Sequence, residues 1–151
     1  RIVRLPQVHD TTRQGLLSPY AACCVRQGKV ACANDGSNRW PAVHVSDAAR
    51  LYALVLDHGQ KGQRYNAVAE EGVTSDLITQ TLSKGLNLPR VFISGDELQA
   101  FFGWMSMFAD KDMPASGAWT QQQLGWHPRG PGLIEDLSSM DYRLLTGEAV
   151  S

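Results

Sequence analysis

The chain has 151 residues, of which 43% are hydrophobic, and this is enough for one domain with a core of ordinary size. Fourteen basic and fifteen acidic residues give a net charge of -1 without runs of like charge, which argues against partners such as nucleic acid or a membrane surface. No apolar stretch of about eighteen residues is present, and the three cysteines Cys23, Cys24 and Cys32 cannot all pair. We therefore expect a single cytoplasmic unit, residues 1–151, with buried thiols.

The first half of the chain alternates between predicted strands and helices. "RIVRL" is rich in β-branched residues and is followed by Pro6, which predicts a strand that gives way to a polar loop carrying His9. The apolar spacing of "LLSPYAACCVRQG" predicts a helix that ends at Gly28. "KVACA" predicts a short strand and "NDGSN" a turn, and "WPAVHV" alternates as a strand does.

The most regular helical pattern follows that strand. Ser46 is a natural N-cap, and Gly59 marks the end of the helix. Its predicted apolar face consists of Ala49, Leu51, Tyr52, Val55 and Leu56.

The second half of the chain continues the alternation and then changes character. "RYNAVA" and "RVFIS" predict strands, Thr74 or Ser75 caps the helix "DLITQTLSKGL", and Ser94 or Asp96 leads into "DELQAFFGWMSMF". From residue 109 onward the pattern indicates loops and helical pieces punctuated by prolines. The alternation predicts an α/β fold with mostly parallel strands, covering helices and a helical C-terminal part.

Motifs for several chemistries are missing from the sequence. No G-x-G-x-x-G follows a predicted strand, and the chain contains no phosphate-binding P-loop, no G-x-S-x-G and no H-E-x-x-H or C-x-x-C. We therefore predict neither a metal site nor a nucleophile, and no catalytic residue is assigned.

A few polar and aromatic residues are candidates for ligand contacts. His9 follows a strand, where α/β proteins bind ligands, whereas His44 lies within a strand and is either a packing histidine or a ligand contact. Arg39 and Trp40 precede a strand and form either a polar, aromatic entrance to a site or a surface arginine packed on an indole. The cluster from residue 101 to residue 108 is mostly core, with part of it available to line a pocket or a subunit contact.

Four segments together resemble one family. In chain order they are "RLPQVH", "DGSNRWPAVHVSDAARLYALVL", "RYNAVAEEG" and "LGWHP". They resemble the C-terminal, substrate-binding half of NAD(P)-dependent epimerase/dehydratase proteins, the extended branch of the short-chain dehydrogenase/reductases. The resemblance implies the C-terminal half of an extended Rossmann-type fold, with the N-terminal dinucleotide-binding half absent.

The resemblance also implies roles for particular residues. Pro6, Gln7 and Val8 would border the cofactor, NAD or NADP, while His9, Arg39 and Trp40 would contact a small-molecule substrate. Arg39 matches an arginine that in the family reaches a phosphate or polar group of the substrate. Trp40 stands where many relatives carry an acidic residue and "HDTTRQG" is not glycine-rich, so the substrate need not be a nucleotide sugar.

The family's glycine-rich turn and its Tyr-x-x-x-Lys pair are not found in this sequence. None of its four tyrosines has a lysine four residues on, and the chain opens on a predicted strand without an initiator methionine. We therefore expect part of a longer or two-part enzyme that neither reacts nor binds NAD tightly by itself, with the missing half or a second copy of itself as partner. The alternative is a non-enzymatic small-molecule-binding or assembly module that oligomerises through its exposed sheet.

Overall fold

The computed structural model describes residues 1–146, in which short strands alternate with helices. The strands are β1 (Ile2–Arg4), β2 (Gln7–His9), β3 (Val30–Ala33), β4 (Arg39–His44), β5 (Arg64–Asn66), β6 (Glu70–Thr74) and β7 (Arg90–Ile93). The helices are α1 (Leu17–Gln27), α2 (Val45–His58), α3 (Ser75–Leu86), α4 (Asp96–Phe102), α5 (Ser106–Ala109), α6 (Ala118–Leu124), α7 (Leu133–Ser138) and α8 (Tyr142–Thr146), with a 3₁₀ turn at Gly103–Met105.

The strands form three small sheets, and most of the pairings are parallel. β1 pairs with β5, β2 with β4, and β3 with β7, all in parallel, whereas β6 joins the other edge of β4 antiparallel. The predicted α/β class with mostly parallel strands is confirmed. The sequence analysis missed β6, because "EEGVT" places two acidic residues and a glycine in a strand, all of which disfavour that state.

Helix boundaries agree with the sequence signals at α1 and α3. They differ at the cap of α2, and the single helix predicted over residues 96–108 is wrong, since it is broken at Gly103, which has a φ of 58°. α1 ends at Gly28 with a φ of 71°, and the hydroxyl of Thr74 accepts the backbone N–H of Leu77 at the start of α3. The prediction of Ser46 as the cap of α2 is wrong, because the helix already begins at Val45. His44 takes the capping position, and its Nδ1 lies 3.1 Å from the backbone nitrogen of Ser46.

Two hydrophobic clusters hold these elements together. The larger one joins α1, β3, α3, α4 and α7, and every side chain of β3 within it is buried. The smaller one packs α2 through Leu51 and Val55 against Tyr65 and Trp126. The predicted apolar face of α2 is wrong at three positions, since Ala49, Tyr52 and Leu56 are exposed, whereas Asp47 and Ala48 are buried together with Leu51 and Val55.

The aromatic segment and the thiols behave as expected. Phe101, Phe102 and Met105 are buried, whereas Trp104 and Met107 point to solvent because successive positions of a short helix cannot all face one core. The three cysteines are buried and free, as predicted.

β1 has an open outer edge. Within residues 1–146 its strand partner is β5 alone, and Ile2 and Leu5 are each about half exposed, at 51% and 50%. An exposed strand edge carries unpaired N–H and C=O groups that can pair with a further strand. Every helix in the same range is too short or too polar to cross a bilayer.

Candidate functional site

The main candidate site is a cleft beside the junction of β1 and β2, which we call the Trp40 cleft. It has a volume of about 520 Å³, within the usual range for small-molecule sites. Pro6 has no backbone N–H and interrupts the strand, so the chain changes its partner from β5 to β4 across this junction. The lining residues are Leu5, Pro6, Gln7, Val8, Gly15, Leu16, Trp40, Pro41 and Met113.

This cleft gathers four of the six predicted site residues. Pro6, Gln7 and Val8, expected to border a cofactor, all line it, and so does Trp40. The other five lining residues were not predicted, because the fold as a whole decides which of them reach the cleft; they are Leu5, Gly15, Leu16, Pro41 and Met113. Whether these residues contact a cofactor or substrate stays a prediction.

Trp40 is not the exposed entrance residue that the sequence suggested. It is only 2% exposed and packs edge-to-face on Tyr20, with ring centroids 6.1 Å apart. The sequence suggested that the two side chains lie together, either at the entrance to a site or on the surface. That arrangement is wrong, because Arg39 and Trp40 are adjacent in a strand and their side chains point to opposite faces. The indole Nε1 of Trp40 is buried and has no hydrogen-bond partner.

Gln7 contributes a second buried polar atom without a partner. Its Nε2 donates to Oε1 of Gln14 at 3.0 Å, and Nε2 of Gln14 donates to the backbone carbonyl of Asp10 at 3.0 Å. A carbonyl can only accept, so this chain of bonds sets the orientation of both amides. Oε1 of Gln7 is thereby left as an unpaired acceptor, and a Cβ on Gly15 would lie 3.1 Å from it.

Arg39 lies on the other face of β4 and is bound by Asp112. The carboxylate of Asp112 accepts the backbone N–H of Arg39 at 2.9 Å, its Nε at 3.0 Å and its Nη2 at 2.9 Å. These bonds hold the pKa of Asp112 below its usual value. The backbone nitrogen of Met113 donates to the carbonyl of Arg39 at 2.7 Å, so Arg39 anchors the segment that forms one side of the cleft.

His9 and His44 form a cluster with Asp136 of α7, in which His9 and Asp136 are buried and His44 is partly exposed. Nδ1 of His9 lies 2.6 Å from Oδ2 of Asp136, Nε2 of His44 lies 3.6 Å from the same oxygen, and the two rings meet edge-to-face. The prediction that His9 lies in a loop is wrong: pairing with β4 resumes after Pro6 and makes His9 the last residue of β2, 1% exposed. Its role in substrate binding stays a prediction.

Asp47, which the sequence analysis passed over, anchors the loop that follows α6. Its carboxylate accepts the backbone N–H groups of Arg129 and Gly130, each at 2.8 Å, and a bond from Arg50, while its carbonyl accepts Nε1 of Trp126. Burial raises the pKa of Asp47, but these hydrogen bonds outweigh it, and the pKa lies below the ordinary value. An acidic residue in the first turn of a helix usually faces solvent, so only the fold reveals this role.

Three of the tyrosine hydroxyls have structural partners. Those of Tyr20 and Tyr142 donate to backbone carbonyls of Ala31 and Leu137, and that of Tyr65 accepts the backbone N–H of Gln60. Burial raises the pKa of Tyr20 well above its usual value and that of Tyr142 to about 12. The hydroxyls of Tyr20 and Tyr142 are therefore poor proton donors to a substrate near neutral pH.

A second cleft, of about 440 Å³, lies between α3 and α7 and is lined in part by Leu77, Lys84 and Leu137. None of the predicted site residues lines it. The Trp40 cleft is the better candidate because it combines predicted residues with unpaired buried polar atoms.

A complete dinucleotide does not fit the Trp40 cleft on chemical grounds. A pyrophosphate needs backbone N–H groups of a glycine-rich turn or cationic side chains, and the residues that line the cleft carry no charge. The uncharged and largely apolar lining suits an uncharged ring.

Sequence comparison relates the chain to one family. Residues 5–67 match the NAD dependent epimerase/dehydratase family. An uncharacterized protein of Schizosaccharomyces pombe is 38% identical over 142 residues, 93% of this chain and 48% of that protein. One of Saccharomyces cerevisiae is 36% identical over 138 residues, 91% of this chain and 46% of that protein. The chain thus spans about half the length of the curated relatives it matches.

Solved structures share the fold at low sequence identity. A dTDP-glucose 4,6-dehydratase from Streptomyces venezuelae, with NAD and TYD bound, superimposes with a TM-score of 0.67 at 18% identity, over 100% of this chain and 44% of that one. A UDP-glucose 4-epimerase from Thermotoga maritima, with UDP-glucose, gives 0.67 at 16% identity, over 98% of this chain and 45% of that one. The predicted fold, part of an extended Rossmann-type protein, is confirmed.

Proposed function

We propose that this chain, whose residues 5–67 match the NAD dependent epimerase/dehydratase family, is the substrate-binding portion of an NAD(P)-dependent epimerase, dehydratase or reductase. The observation that carries this proposal is the Trp40 cleft. The family resemblance assigns Pro6, Gln7 and Val8 to the border of the cofactor, and these three residues line the cleft together with Trp40. In this proposal Trp40 contacts the substrate directly, whereas Arg39 and His9 act through the segments that they hold in place.

We further propose that catalysis requires polypeptide beyond these residues, either a companion half or a second copy. The sequence has no glycine-rich turn for a pyrophosphate, and the buried tyrosine hydroxyls are bonded to the backbone. The open edge of β1, with Ile2 and Leu5 half exposed, is where a further parallel strand would pair. When bound, the nicotinamide would supply hydride transfer, and the residues of this chain would position the substrate and exclude water.

The decisive experiment measures binding of NAD and NADP by calorimetry, first to the 151-residue chain alone. The second sample is the chain co-purified with the part of the Schizosaccharomyces pombe relative that lies outside the matched region. We expect no saturable binding to the chain alone and saturable binding to the pair. Tight, saturable NAD binding by the chain alone would contradict the division of labour proposed here.

The alternative is a non-enzymatic module that assembles through its sheet, and the open edge of β1 also favours it. Light scattering after size-exclusion chromatography separates the two proposals. Two results together would favour the module. The chain would form a stable homo-oligomer that dissociates when Ile2 is replaced by lysine, and it would bind neither NAD nor NADP, with or without the added relative. A lysine on an edge strand prevents pairing without disturbing the buried core.

A further inference from the structure

An apolar stripe runs along one exposed side of α2, and we call it the α2 stripe. Its members are Val45, Ala49, Tyr52 and Leu56, all of them exposed, Leu56 at 70% and Val45 and Tyr52 at 43% each. Steps of four, three and four residues place them on one face of the helix. This spacing is typical of a helix that packs against a second helix.

The other sides of α2 already have partners. Leu51 and Val55 pack in one cluster with Val3 of β1, so α2 covers the face of the sheet to which Val3 points. Asp47 binds Trp126 and the loop that follows α6. The α2 stripe is therefore the apolar face of this helix that residues 1–146 leave uncovered.

The α2 stripe ends next to the open edge of β1. Nη1 of Arg1 donates to the backbone carbonyl of Leu56 at 3.2 Å, which joins the residue before β1 to the end of the stripe. Ile2 and Leu5, at the beginning and just after the end of β1, are half exposed. The uncovered helix face and the unpaired strand edge are thus neighbouring parts of one surface.

A strand that pairs in parallel with β1 needs a crossover connection, which is usually a helix lying on one face of the sheet. On the face that α2 covers, a helix over the added strand would lie beside α2, where two helices bury their apolar sides against each other. A strand with its crossover helix takes about 30 residues. The Schizosaccharomyces pombe relative has about half of its length outside the matched region, which is ample for such a unit.

We propose that the α2 stripe is the docking surface for an amphipathic helix of the companion half, and that this helix is connected to the strand that pairs with β1. The inference rests on the proposed requirement for a companion half, and it adds the surface and the kind of element that binds there. The alternative occupant is a second copy of this chain, and the test separates the two.

The first test is the alkylation rate of one introduced cysteine, since the three native cysteines are buried. Tyr52→Cys places a thiol in the stripe, and Leu77→Cys places one at an equally exposed position of α3, also at 43%. Reaction with iodoacetamide is measured with and without the part of the Schizosaccharomyces pombe relative that lies outside the matched region. In the complex, Tyr52→Cys should react at least about tenfold more slowly, whereas Leu77→Cys should be unchanged.

The second test is the affinity for the same companion, measured by calorimetry. Tyr52→Glu brings an unpaired charge into the contact and should weaken binding by at least about tenfold, whereas Leu77→Glu should bind as the wild type does. Both positions are exposed in the chain alone, so each variant should unfold at the wild-type Tm, which verifies that it folds.

Three results would overturn the inference. They are equal alkylation of Tyr52→Cys with and without the companion, wild-type affinity of Tyr52→Glu, and protection of Tyr52→Cys in the chain alone that grows with its own concentration. The last result would assign the stripe to a second copy.

The inference and the proposed function fail in distinguishable ways. A complex that binds NAD while the stripe stays reactive refutes this inference alone. A complex that protects the stripe without binding NAD or NADP refutes the proposed function alone. The absence of any complex refutes both.

Discussion

Replacing Asp47 with asparagine should destabilise the protein far more than its position in the first turn of a helix suggests. The side chain is 1% exposed, and its two oxygens accept the N–H groups of Arg129 and Gly130 as well as the guanidinium of Arg50. An asparagine has one oxygen and one NH₂ group, so at least one buried backbone N–H loses its acceptor and faces a second donor. From the worth of hydrogen bonds to charged groups we expect a loss of about 2–4 kcal/mol in the free energy of unfolding.

For a chain of this size that loss corresponds to a decrease of about 5–15 °C in Tm. Differential scanning calorimetry and urea unfolding of Asp47→Asn at pH 7 measure both quantities. The control is Asp57→Asn, since Asp57 is exposed near the end of the same helix. A change below about 0.5 kcal/mol is typical of surface substitutions, and such a result for Asp47→Asn would refute the anchoring role.

The same variant predicts a pH dependence with a definite sign. The pKa of Asp47 is lower in the folded state than the value of about 3.9 expected in the unfolded chain. Its stabilising contribution is therefore complete above about pH 4 and is lost as the pH falls through the folded-state pKa. The difference in unfolding free energy between wild type and Asp47→Asn should be largest at neutral pH and shrink in acid. A difference that grew on acidification would contradict the assigned direction.

Three further predictions concern the neighbouring features. Asp136→Asn replaces the carboxylate that contacts the buried His9 and the partly exposed His44 and should cost about 1–3 kcal/mol in chemical unfolding, whereas Glu135→Gln on the exposed side of α7 should change little. Arg39→Ala should leave Tm near the wild-type value, because its ion pair with Asp112 is exposed and the bond from Met113 to its backbone carbonyl survives the substitution; a fall of more than a few degrees would show that the side-chain pair holds this segment in place. Because the pKa of Tyr142 rises from 10.0 to about 12 on folding, stability should fall between those pH values, and Tm scans should show a smaller fall for Tyr142→Phe but not for Tyr52→Phe.

Several elements could be predicted because their signals are local. The αL cap at Gly28, the hydroxyl cap at Thr74 and the apolar spacing of α1 depend on residues within one or two turns of each other. The alternation of these elements was enough to predict a mostly parallel α/β fold. β6 escaped prediction because its acidic residues and glycine disfavour a strand, and pairing with β4 overrides that preference.

The candidate site was predicted only in part. Pro6, Gln7 and Val8 were expected at the cofactor border from the family resemblance, and these residues do line the cleft. Arg39 and Trp40 were read as neighbours in one site, although strand alternation separates them by a sheet face. The partners that settle their roles, Asp112 for Arg39 and Tyr20 for Trp40, lie 73 and 20 positions away in sequence.

By itself, the amino-acid sequence determined the fold class, most helix boundaries, the family resemblance and the missing phosphate-binding turn, because each of these is written in short-range patterns of residue type. Only the tertiary structure decided that His9 and Asp47 are buried, that Arg39 is held by Asp112, and that Gln7 and Trp40 keep unpaired polar atoms beside a cleft. Burial and hydrogen-bond partnership depend on which distant segments meet. Local sequence patterns do not specify which distant segments come into contact. The burial and the hydrogen-bond partners of the site residues are therefore seen only in the folded structure.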